Sequence, residues 1–180
     1  MCDPVKSARP CDHGRVAHES DEVDRIVEAW IAQRPDLDFS PLEMLSRVDR
    51  LSRHLDRARR DAFRRSDLEP WEWDVLSALR RAGEPFQLSP KQLLQQTLVS
   101  SGTMTNRIDR LVGRRLVRRE ADPDDGRSIL VILSDDGRLR VDAAITRLVD
   151  AEAELLDTLS RGDRDRLAAL LRKLSLGFDG

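Results

Sequence analysis

Cysteine is nearly missing from this chain: only Cys2 and Cys11 occur, both within the first dozen positions. So few thiols exclude a disulfide framework, and beside His13 and His18 they do not make a convincing zinc-ligand set. They read as incidental thiols in a tail rather than as a redox switch. No apolar run approaches the length of a membrane span, and no signal-peptide pattern opens the sequence, so a soluble cytoplasmic protein is expected. There is no metal-ligand quartet, no phosphate-cradling glycine loop and no Ser-His-Asp arrangement. The three histidines, His13, His18 and His54, fall outside the expected core. An enzyme is therefore not expected, and no cofactor is implied. Aromatic residues make up only 4%, which makes each tryptophan worth placing.

What the chain has is charge, 36% of its residues, balanced to a formal net of -2. Its 180 residues suit one domain, or one domain with arms. The informative stretch runs from Leu88 to Leu133. Ser89-Pro90 is an N-cap with proline at the first helical position, and Leu93 and Leu94 give that helix an apolar side. Val99-Ser100-Ser101-Gly102 breaks it and caps a second helix to about Arg114 or Arg115. At about 100° per residue, Met104, Ile108 and Leu111 share one arc and must face a core. Thr103, Asn106 and Arg110 fall on the opposite side, beside Gly102 and Gly113. Small and hydrogen-bonding residues on the open face of a helix suit a DNA major groove, and a helix N-terminus attracts phosphate.

Leu116–Glu120 and Ile129–Leu133 read as strands joined by the turn Asp122-Pro123-Asp124-Asp125-Gly126-Arg127. From Arg107 to Arg119 the chain carries six arginines and a single aspartate, Asp109. Such a local basic excess on a mildly acidic protein points to phosphate contact.

Elsewhere the pattern is helical. Residues 1–20 show no periodicity and are expected to be a disordered tail. Residues 21–66 carry a short helix to about Arg34, with Val23, Ile26, Val27 and Trp30, and a longer one capped by Ser40-Pro41. Leu42, Leu45, Val48, Leu51, Leu55, Ala58 and Ala62 form the apolar line of the longer helix. Residues 67–134 add a third helix that Leu68-Glu69-Pro70-Trp71 starts and that runs to about Ala82, ended by Gly83, then the helix pair and hairpin. In it Trp71, Val75, Leu76 and Leu79 should pack inward. Asp74 and Arg81 lie two turns apart, about 10 Å along the axis, which suits two surface charges or a pair that flanks something between them. Residues 135–180 hold a helix to about Leu159, a break at Ser160-Arg161-Gly162-Asp163, and a last helix to about Ser175. These two have more apolar positions than one small domain can cover, which points to burial in a twofold dimer.

SGTMTNRIDRLVGRRLVRRE followed by DPDDGRSILVILSDDG, in the order helix, turn, helix, hairpin, resembles the winged helix-turn-helix of the MarR family of bacterial transcription regulators over roughly residues 40 to 175. The resemblance implies a mostly α (α+β) fold with flanking dimerisation helices and a two-stranded β-wing. It implies a homodimer on a pseudopalindromic double-stranded operator at the nucleoid, acting as a repressor. Ser101, Thr103, Thr105, Asn106 and Arg110 would read the major groove, with Lys91, Arg114 and Arg115 as phosphate candidates. At the wing tip, Arg127 would enter the minor groove with Asp125 holding it.

The helix carrying Trp30, ahead of where most members begin, together with WEWDVLSALRRAG and TNRIDR, resembles the urate-responsive branch of that family. Carried over by position, Trp30, Asp74, Arg81 and Arg107 would bind a small anionic effector, urate or another purine. Arg80 is the alternative pocket arginine. Arg107 lies about 60° from the apolar arc of its helix, at the core edge, where it would meet a buried acid such as Asp74. A phenolic acid or another organic anion is the alternative effector. The alternative class is a helical protein-interaction module, which would lack the steep salt dependence of duplex binding.

Overall fold

The computed structural model describes residues 20–97, 99–123 and 128–178. The expectations for Cys2, Cys11, the tail and the wing-tip pair Asp125 and Arg127 lie outside those residues. The chain divides into two compact units, Met1–Ser52 and Arg53–Gly180. Among the described residues no helix is long and apolar enough to cross a membrane.

In the first unit, α1 (Glu22–Gln33) opens on a reciprocal cap. The Asp21 carboxylate accepts from the backbone of Val23 and Asp24, and Asp24 returns a bond to the Asp21 N–H. Val23 and Val27 are its buried positions. Arg47 ties the cap down, reaching Asp21 at 2.9 Å and Asp24 at 2.6 Å. Trp30 stays half exposed and stacks on Phe39 with ring centroids 6.2 Å apart. The next helix, α2 (Ser40–Arg64), continues into the second unit. Ser40 is not its cap, as the sequence had suggested. It is the first helical residue, and Asp38 accepts from its backbone N–H and its hydroxyl. Of the expected apolar line only Ala62 is buried, with its neighbour Phe63, while Leu42, Leu45, Val48 and Leu51 face outward.

The second unit holds α3 (Pro70–Arg81), β1 (Gln87–Leu88), α4 (Pro90–Thr97), α5 (Ser101–Gly113), β2 (Val117–Ala121), β3 (Ile129–Leu133), α6 (Asp135–Leu155) and α7 (Arg161–Ser175). The hairpin is antiparallel, from Val117 opposite Leu133 to Ala121 opposite Ile129. A third strand was not expected. β1 pairs with β3, Gln87 opposite Ile132, and gives the order β1-β3-β2. Two residues are too few to show a period.

Leu76, Leu79, Leu93, Met104, Ile108, Leu111, Leu116 and Val131 are fully enclosed and make one core beneath α3, α4, α5 and the sheet. Ser134 caps α6, accepting from Gly137 N–H. Gly137 is held to zero side chain because a Cβ there would sit 2.2 Å from the Leu116 carbonyl oxygen. Ser160, read as part of a break, is the N-cap of α7, so Arg161, Gly162 and Asp163 already belong to the helix. α7 buries no residue within the chain, and Leu139, Val149, Leu170, Leu171 and Leu174 are exposed.

Candidate nucleic-acid interface and adjoining cleft

Ser89 and Gln92 cap α4 reciprocally, backbone to side chain at 2.8 and 3.3 Å. Ser100 caps α5 and accepts from Thr103 N–H at 3.3 Å. Met104, Ile108 and Leu111 are buried, as the spacing required. Ser101, Thr103, Thr105, Asn106 and Arg110 are all exposed on the other face, and Lys91 is exposed on α4. The Thr105 hydroxyl donates to the Ser101 carbonyl, and the hydroxyls of Thr103 and Ser100 lie 2.9 Å apart. A Cβ built on Gly102 or Gly113 would meet nothing within 4 Å, so packing inside the chain does not explain either glycine.

Carboxylates take up four of the six arginines. Arg119 pairs with Asp109 at 2.6 Å and Arg118 with Glu120 at 2.7 Å. Arg114, offered above as a phosphate contact, is instead committed inward. One of its nitrogens meets buried Glu72 and the other donates to the carbonyl and carboxylate of Asp67, at 2.9 and 2.7 Å. Arg107 approaches Asp74, with Nη1 at 3.8 Å from Oδ2. Among the described residues Arg110 and Arg115 have no carboxylate partner. Arg110 instead lies over the Trp71 ring, 4.5 Å from its centroid.

Asp74 and Arg81 flank a cleft of about 230 Å³, lined also by Trp73, Ser77, Gln96 and Thr97. Arg81 donates to Ser77 Oγ at 3.1 Å. Arg107 Nη1 is buried and makes no hydrogen bond, so the contact with Asp74 is electrostatic and loose. Asp74 is not the buried acid the spacing suggested, since its side chain is 49% exposed; the buried acid of α3 is Glu72, at 1%. Partial burial still pushes the Asp74 carboxyl above the usual aspartate range, opposed by Arg107 and Arg81. Arg80 points elsewhere, to Asp142 at 2.8 Å and over the Phe86 ring.

Trp73 was not singled out from the sequence. Its ring stacks on Phe63, centroids 4.7 Å apart, and it lines both this cleft and a second of about 330 Å³ that holds Asp56, Arg59 and Arg60. The signal was its place next to Asp74 in WEWD. Of the four residues expected to bind a ligand, Asp74, Arg81 and Arg107 belong to the second unit and Trp30 to the first.

A capped helix pair, the second helix bearing an open polar face, followed by a hairpin on the same core, defines a winged helix-turn-helix protein. The chain belongs to the MarR family of DNA-binding transcription regulators. The family's profile matches residues 66–128. The regulator PecS of Dickeya dadantii is 33% identical over 153 residues, 85% of this chain and 92% of that protein. The crystal structure of a mutant MarR from E. coli complexed with operator DNA matches with a TM-score of 0.62 at 26% identity, covering 76% of this chain and 96% of that one. BpsR of Bordetella bronchiseptica, whose DNA binding is described as regulated by 6-hydroxynicotinic acid, matches with a TM-score of 0.55 at 28% identity, covering 71% and 92%.

Proposed function

We propose that this regulator is a homodimeric repressor that a small planar anion, urate or another purine first, releases from a pseudopalindromic operator. The observation that carries the reading is Arg107, a cation on the DNA-facing helix with a buried, unbonded Nη1 aimed at an acid beside an arginine-lined cleft. An anion entering that cleft pairs with Arg81, packs against Trp73 and repels Asp74. Asp74 then yields Arg107, and α5 shifts. The ligand must bind the DNA-incompetent state more tightly, or nothing moves. Trp30 is a further candidate for ligand stacking. BpsR, with its heteroaromatic acid, supports the chemistry of the effector without fixing its identity.

Dimerisation is supported by the exposed leucines of α6 and α7, which a twofold partner would cover. Two α5 helices then address half-sites one helical turn apart. Ser101, Thr103, Thr105, Asn106 and Arg110 read bases, Lys91 contacts phosphate, and Arg127 enters the minor groove with Asp125 beside it.

The test is a mobility shift of the protein on its own upstream DNA, titrated with urate, xanthine, hypoxanthine and 6-hydroxynicotinate. Release by a purine at sub-millimolar concentration, lost in Arg81→Ala and Trp30→Phe, is expected. Release by 6-hydroxynicotinate alone would keep the cleft and replace the purine. A complex that no anion disturbs would overturn ligand control.

A further inference from the structure

Arg110 is the exposed arginine of α5 that the structure holds without a counter-charge. Among the described residues its neighbours on the basic run, Arg115 apart, are closed on carboxylates. Arg114 is locked to Glu72 and Asp67, and Arg119 to Asp109. Each would have to break an ion pair before offering its donors to nucleic acid. Arg110 sits instead on an aromatic face, its guanidinium carbon 4.5 Å from the Trp71 ring centroid. Stacking on a π face uses the flat side of the guanidinium and leaves its in-plane N–H donors free.

Trp71 stands in the first turn of α3, behind Pro70, with its ring partly buried against the core. Its backbone belongs to α3, a different helix from the one that carries the arginine it faces. The same ring also lies 5.9 Å from Arg107, one turn earlier on α5 and at the limit of useful cation–π range. A ring carried by α3 and partly buried against the core thus sets the direction of a long side chain on α5. Holding Arg110 in one orientation before binding removes rotamer entropy that complex formation would otherwise have to overcome. A bidentate contact with a guanine edge is where such orientation counts most.

We propose that Trp71 is a positioning residue for DNA recognition, its indole face presenting Arg110 to the groove with all donors unpaired. This rests on the reading that Arg110 contacts the operator. Trp71 itself need not touch DNA.

The experiment is a double-mutant cycle on operator affinity, measured by fluorescence anisotropy with the full-length protein, with Tm recorded for every variant. Arg110→Ala is expected to weaken binding at least about 10-fold, and Trp71→Leu about 5-fold, near 1 kcal/mol at 1.4 kcal/mol per tenfold. Trp71→Phe, which keeps a π face, should recover most of that loss. In the Arg110→Ala background Trp71→Leu should cost nothing further, because the residue it positions is gone. A Trp71→Leu loss that is the same in both backgrounds would make the ring a structural part only and sink the proposal. So would native-like affinity in a folded Trp71→Leu. If leucine prevents folding, Trp71→Met supplies apolar bulk without a ring and carries the same cycle. If Arg110→Ala alone leaves affinity unchanged, the reading of Arg110 as a DNA contact is what has failed.

Discussion

The buried carboxylate of Glu72, in the first turn of α3, is closed on a guanidinium nitrogen of Arg114, the C-cap of α5. Glu72 is 1% exposed and also accepts from the Glu69 backbone N–H at 2.9 Å. Arg114 passes its other nitrogen to Asp67, which also binds Arg140 of α6. Both cations hold the Asp67 carboxyl below its ordinary range, Arg140 contributing most through its hydrogen bond. The exit of α5 is therefore tied to two other helices by charge as well as by packing.

Removing Arg114 leaves a buried acid without its cation. Arg114→Ala is expected to destabilise the protein by about 3 kcal/mol, the low end for such a break because Arg114 itself is partly exposed. Urea unfolding measures it. The slope of operator affinity against salt separates this role from a phosphate contact. It should stay unchanged, whereas a lost phosphate contact would lower it by about 0.9.

α5 ends in a six-to-one turn: Leu116 N–H bonds the Leu111 carbonyl and Arg115 N–H bonds the Val112 carbonyl, with Leu111 and Leu116 both enclosed. The residue at its left-handed position is Arg115, φ 59, where glycine is the usual occupant. Arg115→Gly relieves a backbone strain of roughly 1–2 kcal/mol but makes the unfolded chain freer. A net gain of about 0.5–1 kcal/mol in unfolding free energy is expected. Operator affinity should move the other way if the Arg115 side chain reaches phosphate. A variant that is less stable would mean the side chain contributes packing that its exposure does not suggest.

The parts of this fold that were legible from residues are those marked by local chemistry. Ser89 and Ser100 cap their helices through their own side chains, and the arc Met104, Ile108, Leu111 faces the core. What the sequence hid depends on tertiary neighbours. β1 exists because Gln87 and Leu88 meet β3. Glu72 looks like one more charge on a polar helix until Arg114 comes back across the fold to enclose it. The apolar line of α2 was legible, but most of it is exposed within the chain, since amphipathic spacing tells which face seeks cover but not what supplies it. At the cleft, spacing placed Asp74 and Arg81 on one stripe and Arg107 at the core edge, but it could not show that Trp73 shares the wall.

Gly137 gives a sharper test of packing. It is the third residue of α6 and passes under the carbonyl of Leu116 and the side chain of Leu133. Gly137→Ala would normally favour a helix, but here the new methyl has no room against backbone. A loss of about 1–3 kcal/mol is expected from overpacking, outweighing the gain of up to about 1 kcal/mol in helix propensity. The wing should splay with it, so operator affinity falls as well. Gly162, also in a helix's first turns but with only the Ser160 hydroxyl at 4.0 Å, is the control, and Ala there should be neutral or stabilising.

Asp74 provides the pH test. Partial burial raises its carboxyl above 3.8, the value it would have unperturbed, although Arg107 and Arg81 pull the other way. The folded protein then holds its proton more tightly than the unfolded chain does. Between 3.8 and the raised value the native state binds more protons, so stability falls as pH rises through that window. Above it the ionised carboxylate is a standing cost. Asp74→Asn keeps the shape and removes the charge. It should be slightly more stable than the natural protein at about pH 7 and equal to it at about pH 3, where both side chains are neutral. In the proposed mechanism the Asp74 charge is the lever on Arg107, and the same variant tests it. With no carboxylate to repel, an anion in the cleft loses its lever on Arg107, so the operator complex of Asp74→Asn should ignore the effector. Lower stability at neutral pH would instead mean that attraction to Arg107 outweighs burial, and Asp74 would be a structural partner of α5 rather than its release.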